Sequence, residues 1–147
     1  MTRLQGTYSY RSFCPADGVG GDPVKLMPWT PTGELAVETD ANGKISGKLI
    51  FPPAIILDVE GAIIPGEFKM FPKLPVPDGF EVTGKGLGAE YIVRGFFVDD
   101  PKCLAGTVKV VKGDLAHQSD GTSGPCVLIQ SNGGGWLMSV LRFFGKV

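Results

Sequence analysis

Glu34-Leu35-Ala36-Val37-Glu38-Thr39, then Asp40-Ala41-Asn42-Gly43, then Lys44-Ile45-Ser46-Gly47-Lys48-Leu49-Ile50-Phe51 is the stretch that decides the fold class. Apolar and polar residues alternate on both sides of an Asn-Gly turn, and this is a strong local signal for a β-hairpin. Leu35, Val37, Ile45 and Leu49 mark the buried face; Glu34, Glu38, Lys44 and Lys48 mark the wet one. The same grammar runs outward in both directions. Candidate strands are Leu4–Phe13, Ala54–Glu60, Glu67–Phe71, Phe80–Lys85, Ala89–Val98, Leu104–Lys112 and Cys126–Gln130, separated by Gly, Pro and Asp turns. Eight or nine short strands at this spacing predict an all-β, closed antiparallel up-and-down barrel, because sheet edges left open are a liability.

Composition agrees with a single domain over residues 1–147. With 43% hydrophobic residues the chain can bury a core, and its 22 glycines and 12 prolines fall at segment ends, as many turns require. A net charge of −1 gives no general electrostatic case for nucleic acid or an anionic membrane, so neither partner is expected. No apolar run is long enough to span a bilayer as a helix. Cys14, Cys103 and Cys126 are an odd set without metal-ligand spacing, and Met1–Gly6 lacks the apolar core of a signal peptide. Both features predict reduced thiols and a cytoplasmic protein.

Two segments depart from the strand pattern. Cys14–Pro31 holds seven Gly and Pro residues, Pro31 included, yet it carries Met27 and Trp29. Exposing both is unfavourable, so this loop is expected to lie across one barrel end as a lid. After Gly135, Leu137, Val140, Leu141 and Phe144 fall at i, i+3, i+4 and i+7. That stripe predicts a short C-terminal helix docked on the barrel wall, with a last strand or a partner-binding helix as alternatives.

Gly6-Thr7-Tyr8, with Leu4 two positions before the glycine, resembles the G-x-W opening of lipocalin and calycin barrels. Pro31-Thr32-Gly33 and the D-x-N-G hairpin continue the similarity over the first third of the chain. Tyr8 stands where the family has Trp. The resemblance implies an eight-stranded barrel, a small and mostly apolar ligand, and a late basic residue, here Arg142, packed over Tyr8.

Candidate chemistry is sparse. His117 is the single histidine, and no metal or other cofactor is expected from one imidazole and unspaced thiols. As a loop residue it is either simply solvated or a general base at the barrel mouth. Tyr8, Tyr10 and Tyr91 would project three phenols inward, beside Val93 and Phe97. Asp58 and Glu60 share one face of an apolar segment, and a buried Glu60 would act as acid or base. Glycines aligned with large apolar residues (Gly47, Gly84, Gly95, Gly106) point to strand bending or to open volume inside, and Gly95 is the position where a larger side chain is expected to fill a cavity.

The leading expectation is therefore binding of a small hydrophobic or aromatic molecule in the lumen, with Tyr8, Tyr10, Trp29, Tyr91, Val93 and Phe97 as contacts. One alternative is a cofactor-independent cyclase, isomerase or lyase in the same lumen, with Tyr10, Glu60, Tyr91 and His117 as candidate catalytic residues. The other is an interaction protein that forms a homodimer through its C-terminal segment.

Overall fold

A computed structural model describes residues 3–15, 19–66, 77–99, 102–116 and 118–131. Eight strands occur among them: β1 (Gly6–Ser12), β2 (Gly33–Thr39), β3 (Lys44–Phe51), β4 (Ile55–Ile64), β5 (Gly79–Gly86), β6 (Ala89–Asp99), β7 (Cys103–Lys112) and β8 (Ser123–Gln130). Each pairs antiparallel with its sequence neighbour, and β1 pairs with β8 to close the barrel. Closure runs from Tyr8 opposite Gln130 to Ser12 opposite Cys126. The up-and-down barrel expected from the alternation is what the chain forms. The expected strand Glu67–Phe71, the C-terminal helix and Arg142 lie outside the described residues. Among those residues the only helical element is a single 3-10 turn, Pro23–Lys25, and no helix is long and apolar enough to cross a membrane.

The deciding hairpin forms between β2 and β3 with the expected Leu35, Val37, Ile45 and Leu49 buried, Leu35 opposite Leu49 and Val37 opposite Gly47. Its turn is held by the Asp40 carboxylate, which accepts from the N–H groups of Asn42 (2.8 Å) and Lys44 (2.9 Å). Gly43 closes the turn at φ +82°, a conformation that glycine adopts without steric penalty. Two strands run longer than their pattern suggests. β4 continues through Gly61-Ala62-Ile63-Ile64. β8 begins at Ser123, despite Gly124 and Pro125.

Why the barrel closes smoothly is visible at Gly47 and Gly106. A Cβ built on Gly47 would lie 2.0 Å from the carbonyl oxygen of Ala36, and one on Gly106 would lie 1.9 Å from that of Arg94. Adjacent strands therefore approach too closely at these points for any side chain, and coiling of the sheet accounts for both glycines.

The core divides unevenly along the barrel axis. Phe80 and Phe97 meet edge to face at 6.2 Å, and with Leu4, Ile45 and Leu104 they fill the end where the chain enters. Leu4 is fastened there: its N–H donates to Thr39 Oγ1 (3.0 Å), and that hydroxyl donates to its carbonyl (2.7 Å). Toward the opposite end several inward positions are small, Ser12, Gly84, Val108 and Cys126 among them. Filled at one end and lean at the other, an eight-stranded barrel retains room for one small molecule.

Candidate functional site

The lean end is roofed by Trp29, Thr30 and Pro31, which lie between β1 and β2. Cys14 N–H donates to the Met27 carbonyl (2.8 Å), and Trp29 N–H donates to that of Ser12 (2.9 Å), so the returning chain continues the edge of β1. Trp29 turns inward and is buried, whereas Met27 is 68% exposed. Of the two apolar residues that motivated a lid, only the indole seals the barrel. Its seat is Gly124, where a Cβ would approach Cε3 of the ring to 3.3 Å and the Phe13 carbonyl to 2.1 Å. A side chain at 124 would displace the roof.

Asp114, in the loop between β7 and β8, fastens that roof. Its Oδ2 accepts from the Trp29 indole N–H (3.1 Å) and the Gln118 N–H (2.8 Å). Oδ1 accepts from the Tyr91 hydroxyl (2.7 Å) and the Ala116 N–H (3.1 Å). Four donors occupy about the full acceptor capacity of a carboxylate. Burial pushes the Asp114 pKa up, but hydrogen bonds from Tyr91, Ala116, Gln118 and Trp29 outweigh it, and the net shift is downward. Asp114 is thus an anion at neutral pH. The Tyr91 oxygen also accepts from the Leu115 N–H (2.7 Å). Burial, followed by the bond to the Asp114 carboxylate, raises the Tyr91 pKa above the usual phenol range. Tyr91 therefore stays a neutral donor tied to the loop.

Beneath the roof lies a cavity of about 140 Å³, lined mainly by carbon. Its floor and walls come from Tyr10, Leu49, Phe51, Ile55, Leu57, Tyr91 and Val108. Trp29, Thr30, Pro31, Asp114, Leu115 and Ala116 complete its mouth. A second void of about 30 Å³ lies deeper and shares Tyr10, Leu49, Leu57 and Tyr91 with the first. Gly84 borders this void, and the nearest atom to a Cβ there is Leu57 Cδ1 at 3.8 Å. Tyr10 is almost fully buried and packs edge to face on Phe51 at 6.0 Å. Burial foremost, with the nearby Cys126 thiol and Tyr91, raises its pKa beyond the phenol range, against a hydrogen bond with Ser12. Burial also pushes the Cys126 thiol up to about 12, so it remains protonated and a poor nucleophile at neutral pH.

The chamber thus brings together Tyr10, Trp29 and Tyr91 from the residues expected at a site. Val93 reaches only the deeper void, and Tyr8 and Phe97 border neither cavity. Tyr8 is buried in the core, and Phe97 sits at the filled end against Phe80. Gly95 also requires correction. A Cβ there would meet the Ala105 carbonyl at 2.5 Å and the Phe80 ring at 2.9 Å, so no open volume faces it. Glu60 points outward and is exposed, as is Asp58, which pairs with Lys48 on the outer wall. It cannot act on a molecule in the lumen, because inward positions of β4 are Leu57 and Val59. His117 lies outside the described residues. Among those residues no three His, Cys, Asp or Glu side chains group closely enough to hold a metal ion.

Asp114 is the residue that sequence reasoning missed. Its local role is legible in principle, since an Asp accepting from the N–H two residues on makes an Asx turn. Its pairing with Trp29, 85 residues away, leaves no local signal. Comparison with protein-family models, with curated proteins and with solved structures finds no match to this chain.

Proposed function

We propose that this barrel binds one small, neutral, single-ring molecule in the chamber beneath Trp29. The observation that carries this reading is a carbon-lined space of about 140 Å³ under a latched indole. An engineered apolar cavity of roughly 150 Å³ in another protein stays dry and binds benzene. The chamber is of that size, and it has an indole for a roof where an aromatic guest gains stacking contact. The binder is favoured over the cyclase, isomerase or lyase alternative because the chamber's carboxylate and Tyr91 are saturated and burial holds Tyr10 protonated. Asp114 has its acceptor sites filled, and Tyr91 is engaged both as donor and as acceptor. A proton-transfer catalyst needs a group free to exchange its proton with the substrate.

The Gly6-Thr7-Tyr8 opening and the closed eight-stranded topology support reading the barrel as lipocalin-like. Three free thiols support a reducing, cytoplasmic setting. Calorimetric titration with toluene tests the binding reading. We expect saturable one-to-one binding, weakened by about 1–3 kcal/mol in Trp29→Ala, the usual worth of a buried large apolar side chain. Toluene binding to Trp29→Ala as tightly as to the wild type would place the guest elsewhere.

A further inference from the structure

The chamber has one polar element that the roof latch does not consume. Tyr10, Ser12 and Thr30 lie in sequence along its wall, each a lining residue. Tyr10 hydrogen-bonds with Ser12, and Ser12 Oγ stands 3.4 Å from Thr30 Oγ1. Tyr10 and Ser12 are adjacent inward positions of β1, both buried, and Thr30 follows Trp29 in the roof segment. A hydroxyl carries one proton and two acceptor sites, so a chain of three hydroxyls must run in one direction or the other. Either hydroxyl of the Ser12–Thr30 pair can donate, so the direction of the chain follows what else the chamber holds. With an acceptor in the chamber the chain can run from Thr30 through Ser12 to Tyr10, and the phenol proton of Tyr10 is then its loose end. Apart from this chain and the roof latch, the chamber is walled by carbon, and among the described lining residues none is basic.

We propose that Tyr10 is the specificity-determining donor of the chamber, and that the ligand class is a single aromatic ring bearing one neutral acceptor, such as a carbonyl. This rests on the binding reading above and deepens it. The same arrangement disfavours an anionic ring. A carboxylate guest would face the Asp114 anion in a poorly solvated space, with no lining cation among the described residues to offset it. An amine gains little either, because the Asp114 oxygens are already occupied.

The test uses the intact protein and a matched pair of probes, benzaldehyde and styrene, which differ by C=O against C=CH2 on the same planar ring. Dissociation constants are measured for the wild type, Tyr10→Phe and Ser12→Ala. In Tyr10→Phe we expect the benzaldehyde constant to rise about three- to tenfold, the range of one ordinary hydrogen bond, while that of styrene stays within twofold. Ser12→Ala, which removes the middle hydroxyl of the chain, should shift the same ratio in the same direction by a smaller factor, and it keeps the test available if Tyr10→Phe does not fold. Benzoate at pH 8 should bind at least tenfold more weakly than benzaldehyde. Equal changes for both probes, or benzoate binding as well as benzaldehyde, would overturn the proposal while styrene binding upheld the chamber. Failure of both probes to bind the wild type would overturn the chamber reading itself, and the proposal with it.

Discussion

Asp114 holds the lidded end together through hydrogen bonds rather than through an ion pair. Indole, phenol and two backbone N–H groups converge on one carboxylate, and all four favour its charged form. Because its pKa is lowered in the fold, the stability it contributes is present above the ordinary aspartate value of about 3.9 and is lost as pH falls through the lowered value. Asp114→Asn places an amide N–H against donors and should destabilise the protein at pH 7 by about 2–3 kcal/mol. Chemical denaturation as a function of pH checks this. The gap between variant and wild type should shrink as pH falls below about 4, and a gap constant from pH 7 to pH 2 would show that the carboxylate's charge is not what matters. The residues of this latch differ in how readable they were. Trp29 was legible because an indole in a segment rich in breakers must find cover, and the nearest cover is the barrel end. Asp114 was not, since one Asp among the turn residues Gly113–Gly121 looks like any other until the fold brings Tyr91 and Trp29 to it.

The glycines separate two effects that look alike at the level of a strand. Gly47, Gly95 and Gly106 are places where neighbouring backbones or rings occupy the space of a side chain, whereas Gly84 borders a void. Gly106→Ala should destabilise by about 2–4 kcal/mol, because a Cβ 1.9 Å from a carbonyl oxygen forces the strands apart. Gly84→Ala should be neutral or stabilising by up to about 1 kcal/mol, through a less flexible unfolded chain and a partly filled void. Thermal unfolding of the two variants distinguishes them, and equal destabilisation would contradict this division. Alternation alone is enough to read the inward faces of β2 and β3. Element ends were less legible. β8 starts earlier than its pattern suggests, because Pro125 looks like a breaker although its carbonyl still accepts from Phe13 N–H. The inward face of β4 could not be read from Ala54–Val59, which is apolar on both sides, and the expectation for Glu60 failed for that reason.

At the scale of the molecule, the proposed function rests on an asymmetry of filling. Phenylalanines and branched aliphatics close one end of the barrel, and small inward side chains leave a chamber at the other, where a returning loop supplies the roof. The barrel wall supplies rigidity, since every strand is paired on both edges. In the proposed function, discrimination falls to the hydroxyl chain and the roof. The central claim is that a single ring occupies the space beneath Trp29, and locating one there by anomalous scattering tests it most directly. Crystals soaked with bromobenzene should show one bromine peak in the chamber, within van der Waals reach of Trp29, Phe51 or Leu57, and that peak should vanish in a variant whose chamber is filled by Val108→Trp. A peak only on the outer wall, or an unchanged peak in the filled variant, would contradict the account.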